Sequence, residues 1–302
     1  MIHHVFANKG NVGDWLSARG IQALLACPVT EHLCDEPFVT ETLAALQHAQ
    51  PHDLIVIGGG GLFMDYFVPF WEGFRDIARR VPFCIWGAGY CHMKREDSRP
   101  PAALIQEIVS LSELCVVRDE LTRAALSGCA LPPAVACPTI SMVEPAAPGG
   151  GLLHVDALDN VGESNYEAME AFGDEFAAET GRSFHSINNL IPAGSEKSLG
   201  TVMAHYEHAD LILAGRLHGC IIGLAMGRKV LALSGDYKIE SFMEAAGLGD
   251  WVLDLHETDK LPERLRELPE QAAATEFVER SRRSHRATAE QIKLLLEPSP
   301  SR

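Results

Sequence analysis

The sequence predicts an α/β protein assembled from two domains, each built on a parallel sheet, and three observations carry that prediction. Short apolar runs end in glycine and pass at once into helical patterns, as in Asp53-Leu-Ile-Val-Ile-Gly58 and Asp210-Leu-Ile-Leu-Ala-Gly215. These two runs repeat in the same order as a second matched pair, Asn11-Val12-Gly13-Asp14 and Asn160-Val161-Gly162-Glu163, so the two halves read as one architecture used twice. The length, 302 residues, exceeds one small core and suits two α/β domains of ordinary size. The domains are expected over 1–145 and 151–270. A linker rich in proline and glycine (Glu144 to Gly151) joins them, and a helical tail covers 271–302.

In the first half, Ile2 to Phe6 reads as a strand and Ala7 to Gly13 as a polar loop; Asp14 then opens an amphipathic helix with Leu16, Ile21, Leu24 and Leu25. Asp14 serves either as a helix cap or, if the loop faces a cleft, as a contact to a substrate hydroxyl; Asn11 shares that loop. The Asp53–Ile57 strand leads into Gly58-Gly59-Gly60-Gly61. Phe63 and Met64 stand where a dinucleotide fingerprint needs glycine, and no Gly-Lys-Ser/Thr follows for a P-loop. The glycines still free backbone amides to meet a phosphate or a sugar, which makes Gly59 and Gly60 candidates. Phe83 to Trp86 is the next strand, then a helix through Leu104, Ile105, Ile108 and Leu111. The Leu114–Val117 strand delivers Arg118-Asp119 at its carboxyl end.

The second half restarts with a Gly151–Val155 strand and a helix from about Ser164. The Asp210 strand delivers Arg216-Leu217-His218-Gly219 into an apolar helix, Cys220 to Met226. Val230 to Leu233 is a further strand, and Gly235-Asp236-Tyr237-Lys238 turns into the next helix. Beyond Leu261 the chain reads as helical to Glu297. Arg280, Arg282, Arg283 and Arg286 form a solvated face there, and Ser299 to Arg302 a frayed end.

In parallel α/β sheets ligands bind outside the carboxyl ends of the strands, where this pattern places Arg118, Arg216, His218 and Lys238. Arginine offers a planar fork to carboxylate or phosphate, lysine a point charge, and histidine a proton that moves near neutral pH. Together they describe an anion site with chemistry attached.

Composition sets the outer limits. A net charge of −16 excludes nucleic acid and anionic lipid as electrostatic partners, while leaving room for a local basic pocket. No run approaches the ~20 apolar residues of a membrane span, and the N-terminus lacks a secretory pattern; a cytoplasmic protein is expected. The eight cysteines form no CxxC pair, so disulfides are not expected, and His205 and His208 lack further nearby ligands, so no metal is expected.

The chain resembles the polysaccharide pyruvyl transferase family. The matching elements are Asn11-x-Gly13-Asp14, the strand with Gly58 to Gly61 and Leu62, Val117-Arg118-Asp119, Gly215-Arg216-Leu217-His218, and Tyr237-Lys238 followed by Ile239, Ser241 and Phe242. The resemblance implies two Rossmann-like domains in a glycosyltransferase-B-like arrangement, with the active site in the interdomain cleft. It also implies transfer of the enolpyruvyl group of phosphoenolpyruvate to a sugar, forming a pyruvate ketal and releasing phosphate. Phosphoenolpyruvate is then a co-substrate, and no cofactor is required. On the matching motifs, Arg216, Leu217 and His218 fall on the family's phosphoenolpyruvate-binding and acid step, and Arg118 and Lys238 on positions that hold the donor's anionic groups. One departure concerns Cys137-Pro138, which stands where the family often shows Asp-Pro. Two other readings fit the residues: a nucleotide-sugar-dependent glycosyltransferase of the same fold, and a non-catalytic module that binds an anionic metabolite.

Overall fold

The computed structural model describes residues 1–94, 101–191 and 194–296. Two five-stranded parallel sheets organise the chain. The first contains β1 (Ile2–Phe6), β2 (Val29–Leu33), β3 (Leu54–Gly58), β4 (Phe83–Trp86) and β5 (Leu114–Val116), in the order β2-β1-β3-β4-β5. The second contains β6 (Gly151–Val155), β7 (Ser183–Ile187), β8 (Ala209–Ala214), β9 (Lys229–Ser234) and β10 (Val252–Asp254), in the order β10-β9-β8-β6-β7. Counted within each half, both orders are 2-1-3-4-5. The matched sequence pairs therefore occupy equivalent places: the Asn-Val-Gly turns follow β1 and β6, and the Asp-led apolar runs are β3 and β8. In this order the crevice opens where the chain reverses direction across the sheet, between β1 and β3 and between β6 and β8.

Strands covered by helices on both faces have no solvent side, so β1, β3, β4 and β6 are buried along their whole length. The edge strands β2 and β7 are half-buried to exposed and carry polar residues (Thr30, Glu31 and His32; Ser183, His185 and Ser186). Such strands give no continuous apolar signal.

Two backbone clasps join the halves across the cleft. At one, Asn11 bridges antiparallel to Leu190, with Val12 N–H donating to Asn189 O (2.9 Å) and Ile191 N–H to Gly10 O (2.7 Å). At the other, Met93 bridges Asp236, Lys94 N–H donates to Gly235 O (2.9 Å) and Tyr237 N–H to His92 O (3.2 Å).

The last long helix, Thr275–Leu294, crosses back to the first sheet, where Ala289 and Ile292 join Ile21, Trp86 and Val116 in one apolar cluster. His285 is buried there. Its Nε2–H donates to Ala136 O (2.6 Å) and its Nδ1 accepts from Trp86 Nε1 (3.0 Å); burial pushes its pKa down to about 4, so the ring is neutral. One expectation needs correction on this helix. Arg282 is not solvated: it is buried, and its guanidinium donates to Ile140 O (3.2 Å) and Val143 O (2.6 Å), two carbonyls at the end of the short Thr139–Met142 helix. Arg280, Arg283 and Arg286 are exposed. The region after Leu261 is also interrupted, by a 3₁₀ turn at Leu268–Glu270 and an extended stretch before Thr275. Glu297 and the segment Ser299 to Arg302 lie outside the described residues. No described helix is long and apolar enough to cross a membrane.

Candidate active site

The carboxyl ends of both sheets face one cavity of about 270 Å³. The first half contributes Asn11, Asp14, Gly61, Cys91 and Arg118 to its wall, and the second half Arg216, Leu217, His218 and Lys238. Sequence reasoning singled out seven of these nine.

Each cation is oriented by an aspartate. Arg118 is buried; its Nε donates to Asp119 Oδ2 (3.2 Å) and its Nη2 to Tyr90 O (3.0 Å). Gly89 makes this possible, because a Cβ there would overlap the Arg118 side chain. Arg216 directs Nε to Asp156 O (2.7 Å) and Nη2 to Asp159 Oδ1 (2.7 Å). Lys238 Nζ lies 2.5 Å from Asp236 Oδ2, and Asp236 in turn caps the Tyr237–Ala245 helix by accepting from Lys238 N–H (3.1 Å). Cys91 sits between the two halves' cations, with Sγ 3.2 Å from Lys238 Nζ and 3.7 Å from Arg118 Nη2. Held this way, the cations pay little ordering entropy when an anion arrives.

The Leu217–Ala225 helix begins at this wall, and its N-cap residue, Arg216, makes no side-chain capping bond. Its first amides, at Leu217 and His218, therefore add to the positive potential of the cavity. This gives Leu217 a backbone role that its apolar side chain would not suggest.

His218 packs against the backbone of Gly13, and a Cβ on Gly13 would overlap the imidazole ring. The Asn-x-Gly-Asp motif is thereby explained. Asn11 caps the Val12–Leu25 helix by accepting from Gly13 N–H (2.9 Å), Gly13 leaves room for His218, and Asp14 faces the cavity. Behind the ring, Cys137 Sγ lies 3.7 Å from His218 Nε2 and 3.3 Å from Ser17 Oγ. Burial, then the charges of Arg118, Lys238 and Arg216, push His218 down to about 3, so its imidazole is neutral at physiological pH. Asp14 moves the other way: burial raises it to about 6, against the pull of Arg118, Lys238 and Arg216.

Gly59 and Gly60 follow β3 in the loop that leads to the cavity wall. Neither is among the residues that line the cavity; the loop's contribution to the wall is Gly61. Both adopt positive φ (90° and 88°), and a Cβ on Gly59 would strike Ser17 while one on Gly60 would strike Asp14. Their lack of side chains lets the first helix and its carboxylate come close.

Sequence reasoning missed Asn8, Asp35, Tyr66, Asp159 and Asn189, all of which line the cavity. Asp35 follows the polar strand β2, which carries no apolar signal. Asn189 belongs to an Asn-Asn doublet after β7, a pattern that tolerates left-handed backbone, and this signal was available. Among the described residues, no set of three or more His, Cys, Asp or Glu side chains is arranged to hold a metal ion. All eight cysteines are free.

Comparison with solved structures places the fold. The chain is similar to the UDP-GlcNAc 2-epimerase from Neisseria meningitidis bound to UDP-GlcNAc (TM-score 0.60, 12% identity, covering 97% of this chain and 99% of that one). It is also similar to the UDP-GlcNAc 2-epimerase from Methanocaldococcus jannaschii (TM-score 0.57, 10% identity, 96% and 99%). A third is a glycosyltransferase involved in avilamycin A biosynthesis (TM-score 0.54, 16% identity, 98% and 96%). No curated protein matches in sequence. These likenesses show two Rossmann-like domains in a glycosyltransferase-B-like arrangement, and motif residues from both meet in the cleft. The family model for polysaccharide pyruvyl transferase matches residues 11–237, and the chain belongs to that family.

Proposed function

We propose that the protein transfers the enolpyruvyl group of phosphoenolpyruvate onto two hydroxyls of a sugar in a glycan or glycan precursor, releasing phosphate. One observation carries the reading. Arg118, Arg216 and Lys238 converge from separate strand ends on one cavity that also holds His218 and Asp14. Phosphoenolpyruvate carries a phosphate and a carboxylate, so it calls for several fixed cations, and the amides of Leu217 and His218 add donors for its oxygens.

The proton inventory constrains the mechanism. Protonation of the methylene carbon gives an oxocarbenium centre at C2, which one sugar hydroxyl attacks. Phosphate then leaves, and the second hydroxyl closes the ketal. Of the two hydroxyl protons released, one replaces the proton delivered to carbon and the other departs with phosphate. We assign the delivery to His218 and the removal from the acceptor to Asp14. Beside three cations His218 binds a proton poorly, but the donor's negative charges offset those cations and raise its affinity, so the acid is armed only when the donor is bound. The raised pKa of Asp14, about 6, favours a second reading in which Asp14 is the acid and His218 the base. Titration of the His218 ring with saturating phosphoenolpyruvate separates the two: a pKa that stays below about 5 selects the second.

The test is acceptor-dependent release of inorganic phosphate from phosphoenolpyruvate, with a ketal-bearing sugar found by mass. Release with nucleotide-sugars as donors, and none from phosphoenolpyruvate, would sink the proposal in favour of glycosyl transfer.

A further inference from the structure

Strand order gives the cavity two chemically different ends. One gathers Lys238, Cys91 and Arg118, which follow β9, β4 and β5. The other gathers Asn8, Asn11, Asp35 and Asn189, which follow β1, β2 and β7. These are held together: Asn8 Nδ2 donates to Asp35 Oδ2 (3.0 Å), Asn8 Oδ1 accepts from Asn11 N–H (3.0 Å), and the hydroxyl of Tyr66 donates to Asp35. This second end continues into a neighbouring cavity of about 650 Å³, which shares Asn8, Asn11, Asp14 and Asp35 and adds Phe38 and Leu190, 41% and 50% exposed. The ammonium that lines it, Lys9, is tied to Glu31 at 2.6 Å.

Asn189 stands out at this end. It is 1% exposed and held at φ 59°, in the left-handed region, by the Asn11–Leu190 clasp. Its carbonyl accepts from Val12 N–H and its Oδ1 from the Tyr206 hydroxyl (2.9 Å), while its Nδ2 has no partner among the described residues. A buried amide donor left unpaired, on a backbone in a sparsely populated conformation, marks a group kept for a ligand.

We propose that this end is the acceptor subsite, that it takes a neutral sugar, and that Asn189 is a specificity-determining residue whose Nδ2 donates to a sugar oxygen. The inference rests on the donor reading of the cationic end. Closing a ketal requires two hydroxyls of one sugar to face the same carbon, so the sugar must be fixed by several rigid polar groups. Amides and a carboxylate read hydroxyls, and Phe38 and Leu190 cover the apolar face of the ring. Asp14 and Asp35 repel anionic sugars.

The test follows the ¹⁵N side-chain amide resonance of Asn189 during titration with methyl hexopyranosides (galactoside, glucoside, mannoside) in the presence of inorganic phosphate. A saturable movement with at least one glycoside is expected. Asn189→Asp, which keeps the acceptor for Tyr206 and tolerates the backbone, should weaken that glycoside about tenfold and leave phosphoenolpyruvate affinity within twofold. Phe38→Ala, at an exposed site, should weaken it several-fold. A resonance that responds to phosphoenolpyruvate and to no glycoside overturns the inference, as does one that responds to nothing, or unchanged glycoside affinity in Asn189→Asp. Glycoside binding with no binding of phosphoenolpyruvate would uphold the sugar subsite and remove the donor reading instead.

Discussion

Replacing Gly13 with alanine should abolish most of the activity while leaving the protein folded. The residue lies in the first turn of the Val12–Leu25 helix, outside the positive-φ positions, so alanine meets no backbone strain and gains about 0.5–1 kcal/mol of helix stability. The added methyl overlaps Cγ and Nδ1 of His218. Clearing it to the ordinary 3.4 Å contact moves the ring by about 1.5 Å. The overlap is at the base of the ring, so clearing it costs about 1–3 kcal/mol of stability, which the helix gain offsets in part. A misplacement of about 1 Å at a reacting group costs on the order of 100-fold in rate. The assay pairs steady-state phosphate release with thermal unfolding. A fall in kcat of about 100-fold with a Tm lowered by no more than a few degrees is expected. Activity within threefold of wild type would refute the claim that Gly13 positions His218 for chemistry.

Further outcomes follow from the same geometry. Gly89→Ala displaces Arg118 and should weaken phosphoenolpyruvate by about 10–100-fold, read by calorimetry, with little change in secondary structure. Cys137→Asp places a carboxylate beside His218 Nε2 and should raise the pKa of the ring by about 1–3, read by NMR titration; an unmoved pKa would show that the thiol does not face the ring. Asp14 has a folded pKa of about 6 against an ordinary 3.8. The folded state therefore binds the proton more tightly, and stability is lost as pH rises through that window. The loss is about 1–3 kcal/mol, and Asp14→Asn should remove that slope and raise Tm at pH 7 while losing transfer. A stability profile of the variant that still falls between pH 4 and 6 would place the titration elsewhere.

The parts of the molecule that read plainly from the sequence are those where burial and chemistry are both local. Strands β3 and β4 and the middles of β8 and β9 are apolar because helices cover both faces, and Arg216 follows closely on β8, Lys238 on β9 and Arg118 on the short β5. The polar edge strands β2 and β7 escaped notice, and with them Asp35 and Asn189, whose roles depend on the facing domain. The glycine tetrad showed that something comes close to Gly59 and Gly60, but not that Ser17 and Asp14 do. Arg282 looked like part of a charged face because a sequence does not show which carbonyls wait in the opposite wall.

The central claim is that the three converging cations hold phosphoenolpyruvate. Calorimetric titration of the wild-type protein and Arg216→Ala with phosphoenolpyruvate, inorganic phosphate, pyruvate and a panel of nucleotide-sugars tests it most directly. The account predicts saturable binding of phosphoenolpyruvate that is tighter than either phosphate or pyruvate and is weakened about 10–100-fold in Arg216→Ala. Binding of a nucleotide-sugar with no heat from phosphoenolpyruvate would contradict it.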